Sequence, residues 1–265
     1  MKLIDNFLDG LHAVYLGQLF GWKSFLYYRL QFIFYLIYAA AAPLASFLFI
    51  YVIYHVTVGI PGWSFYQLLF LSGMVGMLSA LVPYICSSSG MVNGLRYGYF
   101  DLYLTRPYSA FTALMANFSD TTGMMYVVDQ LALVIYAGAH LTVTALGVIM
   151  TAITFILGTI LVVMLFQIII LFSYRVLRSS GVVNNFFNTL TTFAGYPLSL
   201  YGFTGTVFLT LVVPIGFATY YPTELFSGKV GVAAFLYALV FSAILIFVFY
   251  KIISVKLRGY VSAMG

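Results

Sequence analysis

The sequence predicts an all-α, polytopic membrane protein: six transmembrane helices, an N-terminal amphipathic interfacial helix, and an outer-side re-entrant segment between spans five and six. Two observations carry this prediction. The first is composition. Of 265 residues, 63% are hydrophobic and 6% charged, with a mean hydropathy of +1.07, whereas a soluble domain has about 25% charged residues. So much apolar surface requires lipid as its solvent. At about 20 residues per crossing, the length holds about six spans and short loops, read as one transmembrane domain over 1–265. The second observation is where the basic residues fall. Lys2, Lys23 and Arg29 precede the first apolar run, and Arg96 and Arg106 lie between the second and third. Arg175 and Arg178 follow the fourth, and Lys251, Lys256 and Arg258 follow the last. Of the eleven basic residues, Lys229 alone sits in a connection on the other side. Excess Lys and Arg marks cytoplasmic loops. Both termini are therefore expected in the cytoplasm, with an even number of crossings of a plasma (inner) membrane. The net charge of +5 is an orientation signal. No basic cluster with interleaved aromatics occurs, so lipid is an expected partner and nucleic acid is not.

Residues 1–26 read as the interfacial helix. Asp5, Asp9 and His12 recur on one helical face, and Ile4, Leu8, Leu11, Tyr15 and Leu19 on another, the pattern of a helix lying in the cytoplasmic interface. The two acids also interrupt the apolar core that a cleavable signal peptide needs. The first span covers 27–56, with Pro43 at mid-span expected to kink it by removing a backbone hydrogen bond. Gly59, Pro61 and Gly62 form the outer turn. The second span covers 65–86, and 87–107 is the longest cytoplasmic loop. The third covers 108–136 and turns near Gly138, and the fourth covers 142–173.

Residues 179–196 carry Asn184, Asn185, Asn188, Thr191 and Thr192 among apolar residues. They read as a fifth span facing other helices, ended by Gly195-Tyr196-Pro197. Residues 198–222 are apolar but broken by Gly202, Gly205, Pro214, Gly216 and Pro222. A full crossing there would export the basic C-terminal residues, so a re-entrant pair of half-helices is the economical solution. Such backbone is tolerated only where protein or a water-filled cavity surrounds it. A competing layout makes 179–200 a cytoplasmic interfacial helix and 203–222 the fifth span, with the same termini. The last span covers 230–252.

Motifs for covalent chemistry are missing. There is no GxxxxGK[ST] loop, no His-Glu-x-x-His helix and no Gly-x-Ser-x-Gly elbow. His12, His55 and His140 fall at different depths, and Cys86 alone supports neither a disulfide nor a Cys-based zinc site. No catalytic, cofactor or metal site is expected on this chain, and it is not read as an enzyme. The intramembrane acids Asp120 and Asp129 are nine residues apart, which puts them on opposite faces of one helix. Buried carboxylates in hydrocarbon are costly. The pair, with Asn184, Asn185, Asn188 and Thr192, therefore either lines a translocation path or is held by structural hydrogen bonds.

The loop 87–107 is more specific. Residues 93–104 suit a short helix stopped by Thr105-Arg106-Pro107, with Pro107 opening the third span. This helix would show apolar and aromatic side chains with Arg96 and Asp101 at the cytoplasmic surface, a composition suited to lying on the membrane or docking on another protein.

An interfacial helix comes first, and two spans are followed by an inner helix ending in Leu-x-Arg-Pro. Gly195-Tyr196-Pro197 closes the fifth span, and a broken stretch with Pro214 and Tyr221-Pro222 precedes the sixth. This order resembles the membrane subunit of an ABC-2-type ABC transporter, in the branch of permeases without their own ATPase. The resemblance implies a dimer with a copy of the chain or a sister permease. It also implies a separate cytoplasmic ABC ATPase that holds ATP and Mg. The loop 87–107 becomes the coupling loop, with Leu95, Arg96, Tyr99, Phe100, Asp101 and Arg106 as candidate contacts. Spans one, two and five would line the path and the re-entrant segment would form part of the outer gate. An ATP-driven exporter of a hydrophobic or amphipathic substrate is the function implied. The alternative is an ion-coupled secondary transporter or channel using Asp120 and Asp129. Against it, no convincing inverted repeat is visible.

Overall fold

Backbone groups surrounded by lipid must find partners within their own segment, and the apolar runs of this chain accordingly form helices. The computed structural model describes residues 12, 15–23, 26–57, 59–99, 101–104, 123–173 and 180–259, and among these there is no strand. Among the described residues four helical stretches are long and apolar enough to cross a membrane: Arg29–Val56, Phe65–Arg96, Ala145–Phe172 and Val232–Arg258. The first is α1. The second comprises α2 (Phe65–Ile85) and, after two residues, α3 (Ser88–Arg96). A single turn, α4 (Asp101–Leu104), follows. Next come α5 (Gly123–Ala139), α6 (Ala145–Ser173) and α7 (Ser180–Ala194). A 3-10 turn (Leu198–Tyr201), α8 (Gly202–Val207) and a π turn (Phe208–Val212) lead to α9 (Ile215–Ala218) and α10 (Tyr220–Phe226). The chain closes with α11 (Val232–Arg258).

The predicted spans one, two, four and six coincide with α1, α2, α6 and α11. The last runs on past its predicted end at 252, placing Lys256 and Arg258 in its final turn, where cations complement the helix dipole. α1 continues unbroken through Pro43. Of the third span, α5 supplies the second part, and residues 108–122 lie outside the described residues. So do residues 1–11 of the predicted interfacial helix, whereas 15–23 are helical. The single inner helix expected over 93–104 is replaced by α3 and α4, because Ser87 starts the first and Gly98 ends it. Residues 198–226 form two halves bent by 81°, a geometry common to a broken span and a re-entrant loop.

Glycine sets how closely the helices approach. α2 packs most extensively on α5, and α6 on α11. A Cβ on Gly73 of α2 would lie 2.6 Å from Val134 Cγ2, and one on Gly76 would run into the Gln130 side chain. Small residues at such positions let two helix backbones come together. On α6, a Cβ at Gly158 would meet the backbone of Phe217 and Ala218. Phe217, Ala218, Thr219 and Thr223 are fully buried there, so the irregular backbone after the bend is enclosed by protein. α1 is held differently. It packs on α2 and α5 and buries only Ala39 and Ile50 of its 28 residues.

Candidate functional site

The helix that follows α2 is built by its ends. Ser87 Oγ accepts from the Gly90 amide at 3.5 Å, an N-cap. At the other end Tyr97 N donates to Asn93 O at 2.9 Å, and Gly98 takes φ +71°, the left-handed position that glycine fills after a helix C-terminus. Met91, Val92 and Leu95 lie on one face and are fully buried, with α3 packed on α6 and α7. After Arg96, the last residue of α3, the chain exposes Tyr97 at the helix end, Tyr99 in the turn and Leu102 on α4. The Arg96 guanidinium lies 5.8 Å from the Tyr97 ring centroid, and the Tyr97 and Tyr99 rings are 6.3 Å apart.

This placement sorts the predicted ATPase contacts. Arg96 is partly exposed, as is Asp101, and Tyr99 is exposed. Leu95 is corrected: at 0% exposure it belongs to the interior, because the i, i+4 spacing from Met91 puts it on the inward face. Phe100 and Arg106 lie outside the described residues. Tyr97 and Leu102, which the sequence reading passed over, join the exposed residues. Their signal was their place around Gly98, where the chain leaves α3.

α7 has two faces. Val183, Phe187, Leu190 and Ala194 are buried, whereas Asn184, Asn185, Asn188 and Thr192 are exposed. The expectation that the polar residues face neighbouring helices is therefore corrected within the chain: the apolar stripe faces them, and the asparagines turn away. Thr189 and Thr192 donate back to the carbonyls of Asn185 and Asn188, both at 2.8 Å. Between α1, α2 and α7 lies a cavity of about 180 Å³, with Ser46, Ser72, Thr191, Thr192 and Tyr196 in its wall. Asp129 lines a different cavity, of about 510 Å³, between α1 and α5. Thr192 and Asp129 thus line separate cavities, while Asn184, Asn185 and Asn188 lie on the exposed face of α7. Asp120 lies outside the described residues.

At the end of α2 remote from α3, Trp63 is buried and its carbonyl accepts from Tyr54 OH at 2.6 Å. Lys229, in the connection before α11, donates to Gly62 O at 2.6 Å and stands 3.8 Å from the Trp63 ring centroid. Partial burial pushes the Lys229 ammonium below its usual range, and the nearby Glu224 opposes that shift. The Trp63 and Tyr220 rings are 5.7 Å apart, so this contact joins the turn before α2 to α10.

Several long apolar helices, sparse charge and polar faces within the helical layer define a multi-pass membrane protein. Residues 40–264 match the family described as ABC-2 family transporter protein. The chain belongs to that family. No curated protein and no solved structure is found to match it. Family membership makes it the membrane component of an ABC-type transporter and implies a separate ATPase partner.

Proposed function

We propose that this chain is the permease of an ATP-driven ABC exporter in the plasma (inner) membrane. It works as a dimer, with a copy of itself or a sister permease. A cytoplasmic ABC ATPase holds the ATP and Mg, and the permease performs no covalent chemistry. The observation that carries this reading is α3 and the chain just after it. Its buried face is packed on α6 and α7, and from Arg96 onward the turn and α4 that follow it expose Tyr97, Tyr99 and Leu102. Aromatic and Arg side chains are enriched at protein interfaces. An ATPase docked there would move α7 through Met91, Val92 and Leu95, and α7 carries Asn184, Asn185 and Asn188 on its far face. Alternating access then needs a substrate that binds the two states unequally, and a hydrophobic or amphipathic one suits these surroundings.

In this reading 1–265 is a single permease domain with six crossings and both termini cytoplasmic. Residues 1–26 lie in the interface, 108–136 form the third crossing, and 198–222 enter and leave on the outer side. Enclosure of Phe217 to Thr219 against α6 supplies the protein surroundings that broken backbone needs, and the re-entrant arrangement keeps the basic residues at the end of α11 on the cytoplasmic side. α7, at 15 residues, rises about 22 Å against a hydrocarbon core of about 30 Å.

The test is a pull-down of the tagged full chain from gently solubilised native membranes, wild type against Arg96→Glu/Tyr99→Ala. A soluble ATPase that co-purifies with the wild type and is lost from a folded double variant supports the reading. A chain that comes down alone as a stable oligomer sinks it.

A further inference from the structure

The crevice between α1 and α5 joins three features that no part of the coupling argument uses. First, it is roomy: beside the cavity of about 510 Å³ at Asp129, a second of about 590 Å³ opens between the same helices at Tyr35, Tyr38 and Tyr126. Each has the size of a small-molecule site. Second, it is walled by aromatic rings. Tyr38 and Tyr126 meet edge to face at 5.8 Å, and Phe47 and Tyr136 at 6.3 Å. Along α5, Tyr126, Asp129 and Tyr136 recur at helical spacing on one face, so the carboxylate sits between the aromatic pairs. Third, one oxygen of that carboxylate lacks a partner. Asp129 Oδ2 is shielded from solvent yet has no hydrogen-bond partner among the described residues, and among the described residues no Lys or Arg lines either cavity.

We propose that the α1–α5 crevice binds a lipophilic organic cation, with Asp129 as its counter-charge and Tyr38, Tyr126, Phe47 and Tyr136 as its aromatic walls. Charge decides the occupant. A lipid acyl chain would fill the space and leave the carboxylate unneutralised in hydrocarbon, where charge is expensive. An anion would be repelled by it. A cation is attracted both by the acid and by the faces of the rings, and an apolar body displaces lipid from the rest. The inference rests on the exporter reading in one respect only: it names the class of amphipathic substrate.

The test is binding of tetraphenylphosphonium to the full chain in lipid nanodiscs, corrected for empty discs, with tetraphenylborate as an anion of nearly the same shape. The expected result is saturable binding of the phosphonium, weakened at least about tenfold by Asp129→Asn and largely restored by Asp129→Glu. Tetraphenylborate should show no saturable component. Should Asp129→Asn fail to fold, Tyr38→Leu/Tyr126→Leu tests the same site and should weaken binding several-fold. Equal phosphonium binding by wild type and Asp129→Asn, or saturable borate binding, overturns the proposal. So does a variant that changes only the oligomeric state, which would make the crevice an interface between copies. Because the assay needs no ATPase, binding that persists when no ATPase co-purifies would sink the exporter reading and leave the site standing.

Discussion

Lys229 and Trp63 form a clasp: the ammonium stands 3.8 Å from the indole centroid while donating to the carbonyl of Gly62 at 2.6 Å. The contact closes the turn before α2 onto the connection before α11, which share no other sequence relationship. Gly62 has φ +77°, so the turn is held in a shape that glycine adopts without strain.

The clasp should show as coupling between its two side chains. Lys229→Met and Trp63→Leu, singly and together, are expected to give an interaction free energy of about 0.5–2 kcal/mol, measured by reversible unfolding in mixed micelles. Additive effects of the two substitutions would show that the ring and the ammonium do not act together.

Leu95 and Tyr99 are only four residues apart, yet they should fail in different ways. Leu95→Ala removes a fully buried side chain and is expected to cost about 2–5 kcal/mol. Tyr99→Ala, at an exposed position, should stay within about 0.5 kcal/mol of wild type and still lose ATPase in the pull-down. Thermal unfolding of the purified chain, run beside the pull-down, separates them.

At Gly158 the obstacle is backbone, and at Gly76 it is the flexible end of Gln130. Gly158→Ala should therefore destabilise by about 1–3 kcal/mol and Gly76→Ala by clearly less. Melting temperatures in detergent decide the order, and the reverse order would contradict the packing of α9 on α6.

Ser64 and Gln67 form a reciprocal capping box at the start of α2, with N–H···O distances of 3.0 and 3.2 Å. Ser64→Ala should cost about 1 kcal/mol, and Ser64→Asp should recover most of it. The same unfolding series measures both.

Long apolar runs carried most of the fold in their composition, because lipid leaves the backbone no choice but helix. α1, α2, α6 and α11 were visible for that reason. The loop after α2 was harder. Its division into α3 and α4 depends on the left-handed Gly98, one glycine among several, and the inward turn of Leu95 depends on where α6 and α7 pass. The capping box was readable from Ser-x-x-Gln but passed unnoticed beside a stronger apolar signal. Asp129 was legible as a costly acid. The cavity beside it was not, since no local pattern reports that α1, which follows its own sequence so plainly, would leave a gap against α5. Thr191 and Thr192 looked alike in the sequence, and only the phase of α7 buries one and exposes the other.

α1 rises about 42 Å over its 28 residues, more than the roughly 30 Å of a typical hydrocarbon core. A helix with that excess tilts to match its bilayer, and α1 has little packing to hold it at one angle. Membrane thickness is thus expected to act on the protein: a thinner bilayer should lean α1 further, and the gap it shares with α5 should change with that tilt.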